Sequence, residues 1–82
     1  MQSRANEEYV TKDLGEAAAL VCSSLKLLRL QREQSFFWFV FANKMLCEQF
    51  SGEYWSGTLK IPARQYSEAL RSLKDRLFAQ KQ

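Results

Sequence analysis

At 82 residues the chain has room for one small domain and not for two, since a domain of this size buries only about 60 to 65% of the surface its unfolded form exposes. A hydrophobic share of 46%, with 13% aromatic residues, excludes a disordered chain, and the main apolar run, Phe36 to Ala42, falls far short of the ~20 residues of a membrane-spanning helix. The formal charge of +3 is uneven: residues 1–24 carry two bases against four acids, and residues 59–82 carry six bases against two acids.

Residues 1–8 lack apolar periodicity and predict a loose N-terminal tail, leaving residues 9–82 as a single α+β domain. The start has neither the basic segment nor the apolar stretch of a secretory signal, so a cytoplasmic location is expected. A first helix is predicted with Thr11 as N-cap, Asp13 in the first turn, and Leu14, Ala17, Ala18, Val21 and Leu25 along one face. Ser23 and Ser24 end that pattern.

Leu27 to Gln31 and Phe36 to Ala42 read as the two strands of a hairpin, joined through Arg32, Glu33, Gln34 and Ser35, with the register left open because no glycine sets the turn. Asn43 suits the cap of a second helix carrying Leu46, Cys47, Phe50 and Tyr54, weakened by Gly52 and stopped by Gly57. Thr58 to Ile61 predict a brief third strand. Pro62 fits the first turn of a last helix, in which Ala63, Tyr66, Leu70, Leu73 and Leu77 form an apolar stripe. The expected architecture is therefore three helices packed on a small antiparallel sheet, in the order α-β-β-α-β-α.

Cys22 and Cys47 stand far apart without a paired Cys-x-x-Cys spacing, which fits buried thiols better than a disulfide framework or a zinc site. The chain has no histidine, and this excludes Ser-His-Asp and Cys-His nucleophile activation together with histidine-containing metal sites. Gly15, Gly52 and Gly57 match neither phosphate-binding glycine pattern. A non-enzymatic protein with no cofactor, no metal and no small-molecule substrate is expected.

Several runs occur together: Tyr9-x-Thr11-x-Asp13-Leu14 followed by Ala17-Ala18, then Phe39-Val40-Phe41, then Tyr54-Trp55-x-Gly57-x-Leu59-x-Ile61-x-Ala63-Arg64, then Ala69-Leu70-x-x-Leu73-Lys74-x-x-Leu77-Phe78. From Tyr9 to Phe78 the sequence thereby resembles a family of small uncharacterised prokaryotic and phage proteins known only as a domain of unknown function. The resemblance implies a phage, plasmid or bacterial context and carries over no activity.

In the second strand Phe37, Phe39 and Phe41 alternate with Phe36, Trp38 and Val40, so both faces are apolar and each needs a cover. One is expected against the chain's own helices, and the other is covered either by those same helices, with the strand sandwiched between them, or by a partner. Phe36, Trp38 and Val40 are the candidate interaction surface, for a second copy in a homodimer or for another protein. The alternative is a small DNA- or RNA-binding regulator in which Lys60, Arg64, Arg71 and Lys74 contact phosphates, although Glu68 lies between Arg64 and Arg71.

Overall fold

The computed structural model describes residues 7–81. It has three helices and a three-stranded antiparallel sheet, in the order β1 (Glu8–Thr11), α1 (Leu14–Cys22), β2 (Leu27–Glu33), β3 (Phe36–Ala42), α2 (Lys44–Ser56) and α3 (Ala63–Gln80). The sheet order is β1-β3-β2. An α+β fold is thus correct, while the expected order α-β-β-α-β-α is corrected to β-α-β-β-α-α.

Two segments account for the difference. Glu8–Thr11 forms an edge strand on β3, with Glu8 opposite Ala42, Tyr9 opposite Phe41, Val10 opposite Val40 and Thr11 opposite Phe39. The expected tail therefore ends too late: Glu8 is in the sheet and the Glu7 carbonyl accepts from Lys44 N at 2.9 Å, while the rest of that tail, residues 1–6, lies outside the described residues. Thr58 to Ile61, by contrast, forms no strand. The N–H groups of Thr58 and Leu59 are taken by the Glu53 carbonyl at 2.9 and 3.1 Å, and Pro62 has no N–H to give, so few donors are left for a ladder.

β3 lies between the other two strands and carries large apolar side chains along both faces, whereas the outer faces of β1 and β2 mix single apolar residues, Val10 and Leu28, with charged and polar ones. On β2, Leu27 faces Phe41, Leu30 faces Phe39 and Glu33 faces Phe36, with a bulge that sets Leu28 and Arg29 together against Val40. The strand runs on to Glu33, so the connection is a tight turn at Gln34 and Ser35 rather than the expected four residues, with Gln34 at φ 25°.

Asp13, not Thr11, caps α1: its carboxylate accepts from Glu16 N at 2.7 Å. The Thr11 hydroxyl is turned to Asp13 N and to Glu16 instead. Ala17, Ala18, Ala19 and Leu20 are all fully buried, which no amphipathic surface helix would be, because α1 packs on both α2 and α3 and its alanines meet the sheet's inner face. Asn43 caps α2 in the left-handed region, accepting from Leu46 N at 3.2 Å, and Gly57 at φ 79° ends it, a conformation that glycine takes without a Cβ clash. α3 begins after Pro62 and buries Ala69 and Leu73, with Tyr66, Leu70 and Leu77 packed beside them. One core results: Phe39 and Phe41 of the inner sheet face against Ala17, Ala18, Leu20, Leu25, Cys47, Ala69 and Leu73.

Candidate interaction surface

All of the sheet's core contributions come from one face. The other carries Val10 on β1, Leu28, Arg29, Gln31 and Glu33 on β2, and Phe36, Trp38 and Val40 on β3, and none of these residues joins the core cluster. Val10 is 49% exposed and Leu28 39%, while Phe36 and Trp38 are half-buried and pack edge to face with ring centroids 5.1 Å apart. With β2 and β3 seven residues long and β1 four, strands ~4.8 Å apart and ~3.4 Å per residue make this face at most roughly 14 by 24 Å.

Val40 behaves differently from its two expected companions. It is fully buried although it points away from the core. Arg29 sits opposite Val40 on one side, and Glu8 opposite Ala42 on the other. The two side chains join in a bidentate pair, Nη1 to Oε2 at 3.0 Å and Nη2 to Oε1 at 2.9 Å, which must cross over β3 to meet. This strap, with Val10 beside it, encloses Val40. Val40 is therefore unavailable to a partner, and the apolar surface that remains open is Phe36, Trp38, Val10 and Leu28. The hydrogen bond from Arg29 holds the Glu8 carboxyl below its ordinary pKa. Lys12 extends toward the opposite end of the face, its Nζ 4.9 Å from the Phe36 ring centroid.

Beneath β1 lies a polar cluster that spacing alone does not reveal. Glu16 is 4% exposed, and its carboxylate accepts from Tyr9 Oη at 2.5 Å and Thr11 Oγ1 at 2.7 Å. Tyr9 Oη also lies 3.1 Å from Ser51 Oγ. Burial pushes the Glu16 pKa upward, yet the donors Ser51, Tyr9, Thr11 and Trp55 outweigh it and the carboxyl titrates below its usual range. Burial and the Glu16 charge push Tyr9 up to about 12. With its oxygens occupied by donors from β1 and α2, the carboxylate is a clasp between strand and helices. The one hint in the sequence is an acid beside an otherwise apolar run, Ala17 to Val21.

A second tyrosine lock sits beside it, in the same first turn of α1. Tyr66 Oη donates to the Gly15 carbonyl at 3.1 Å, and Tyr54, hydrogen-bonded to Tyr66, is pushed up to about 12. Tyr54 and Tyr66 also line a cavity of about 280 Å³ with Leu59, Ile61 and Ala63, so the segment expected as a strand serves as a wall. Cys47 is buried and its thiol is pushed up to about 11 by burial and the nearby Glu16 and Glu48 charges; Cys22 is raised by burial as well. Among the described residues no group of three or more acidic, cysteine or histidine side chains is placed to hold a metal ion, and no helix is long and apolar enough to cross a membrane.

The basic candidates are all exposed but do not converge. Lys60 lies on the α2–α3 connection, Arg64 on the first turn of α3, and Arg71 and Lys74 border one shallow depression with Asp75. Arg64, Glu68, Arg71 and Asp75 follow one stripe of the helix with alternating sign.

No protein-family model, curated protein or solved structure matches this chain. The surfaces themselves carry the functional reading.

Proposed function

We propose that the protein is a non-enzymatic protein–protein interaction module that binds through the outer face of its sheet, with a homodimer as its own assembly and the phage or mobile-element context that the sequence resemblance implies. The observation that carries this reading is the aromatic pair Phe36 and Trp38, half-exposed on a face to which the core sends no helix side chains. Large apolar side chains grouped on an open face favour association, because their burial releases about 25 cal/mol per Å² of apolar surface. The face is small. At most roughly 14 by 24 Å, it lies below the ~800 Å² per partner of a stable complex, so association in the micromolar range is expected.

Nucleic-acid binding by Lys60, Arg64, Arg71 and Lys74 is the weaker reading, since the alternating charges on α3 offset the field a phosphate backbone would need. Sedimentation of wild-type and Trp38→Glu protein tests the first reading. The variant is expected to keep its helical and strand content and lose association; unchanged association would overturn the role of this face. Binding of short oligonucleotides at low salt, lost on raising the salt, would favour the second reading.

A further inference from the structure

The charged residues of the outer face spring from the four corners of the sheet and their signs alternate around it, with the Glu8 and Arg29 side chains reaching inward to pair over β3. At the end where β3 finishes in Ala42, β1 contributes Glu8 and β2 contributes Arg29; at the end where β3 begins with Phe36, Lys12, the residue that follows β1, lies over the Phe36 ring and β2 contributes Glu33. Gln31, between Arg29 and Glu33, is neutral.

Two identical faces pressed together by a two-fold axis along or across the strands set each corner on a different corner of the copy. An axis along the strands exchanges β1 with β2 and keeps the ends, so Glu8 meets Arg29 and Lys12 meets Glu33. An axis across the strands keeps β1 on β1 and exchanges the ends, so Glu8 meets Lys12 and Arg29 meets Glu33. Both arrangements bring together only opposite charges. A uniformly acidic or basic face would repel its own copy, whereas this one repels a copy only when placed corner on like corner.

We infer that the outer face is built to recognise a second copy of this chain, with Glu8, Lys12, Arg29 and Glu33 as the residues that select it and Phe36, Trp38 and Val10 as the apolar centre. This inference rests on the proposed homodimer through that face and adds the residues that select the copy. Rim charges of this kind act on partner choice and encounter rate more than on total affinity, while the aromatic centre supplies the burial.

Two charge-reversed forms test it. Lys12→Glu with Arg29→Glu makes all four corners acidic, and Glu8→Lys with Glu33→Lys makes all four basic. Sedimentation equilibrium at ~50 mM salt is expected to show a wild-type dimer, each reversed form at least tenfold weaker in self-association, and a one-to-one mixture of the two forms recovering as a heterodimer. The single reversals Lys12→Glu and Glu33→Lys leave the Glu8–Arg29 strap intact and are expected to weaken the dimer as well, which separates charge selection from any loss of fold. A wild-type chain still monomeric at about 1 mM, far above the range expected for this face, overturns the inference. So do reversed forms that self-associate as well as wild type, or that fail to pair when mixed. If wild type is monomeric yet a foreign protein loses binding on Trp38→Glu, the face remains an interaction surface and only its assignment to a second copy fails.

Discussion

Replacing Glu16 with alanine removes the acceptor shared by Tyr9 and Thr11 and leaves both hydroxyls facing an apolar gap. A hydrogen bond to a charged group contributes about 1.5 to 3 kcal/mol, and a buried polar group stripped of its partner costs about 1 to 3 kcal/mol. Tyr9 retains Ser51 at 3.1 Å, which recovers part of the loss. The expected cost is about 3 to 5 kcal/mol, a large share of the roughly 4 to 12 kcal/mol available to a domain of this length. At about 4 to 8 °C per kcal/mol, Tm should fall by about 12 to 40 °C. Glu16→Gln keeps the shape and one acceptor oxygen and should cost about half as much. Urea titration followed by tryptophan fluorescence reads all three proteins. An alanine variant within about 1 kcal/mol of wild type would refute the view that the carboxylate clasps β1 to α1 and α2. The same residue sets an acid limit. Its folded pKa lies below the ordinary 4.5, so as pH falls the unfolded chain takes up the proton first. The stabilisation is complete above pH 4.5 and is lost as the pH drops through the folded value; Glu16→Gln should show a shallower acid limb than wild type.

The glycines give opposite expectations. A Cβ at Gly15 would lie well inside van der Waals contact with Tyr54 Oη, so Gly15→Ala should destabilise by about 1 to 3 kcal/mol in thermal melts. Gly52 is helical with open space around it, so Gly52→Ala should raise stability by up to about 1 kcal/mol. Phe39→Ala empties the core under the central strand and should cost about 3 to 5 kcal/mol, whereas Trp38→Glu, on the open face, should cost far less and act on association. With the Cys47 thiol at about 11, the native protein at pH 8 should react with a disulfide reagent at this site much more slowly than the urea-unfolded chain. Equal rates would contradict its burial.

Much of the fold can be read from the sequence because its patterns are long. Phe36–Ala42 is dense enough in aromatic side chains to mark a strand, and the α3 stripe from Tyr66 to Leu77 repeats over several turns. Asn43 and Gly57 announce the two ends of α2 by their backbone chemistry. β1 escapes because four residues, Glu-Tyr-Val-Thr, show too little alternation to separate a strand from a helix start, and Thr11 resembles a cap until Asp13 is seen to take that role. The false strand at Thr58–Ile61 has the right composition, but its first donors are claimed by Glu53, a local competition that composition does not record. At the interaction surface, Phe36 and Trp38 follow from alternation alone. The enclosure of Val40 does not, because it depends on Glu8 and Arg29, 21 residues apart, reaching each other across a third strand.

The position of β1 also bears on how the chain closes. The β2–β3 hairpin joins neighbours through a tight turn, whereas β1 must find a strand more than 25 residues downstream, passing α1 and the hairpin turn on the way. Local pairing precedes distant pairing because a shorter loop loses less entropy on closing. The hairpin should therefore form early, and Glu8–Thr11 should seat last. That final step completes the Glu16 hydrogen bonds and lays Glu8 onto Arg29, so the buried clasp and the surface strap form in the same event, on opposite faces of one four-residue segment.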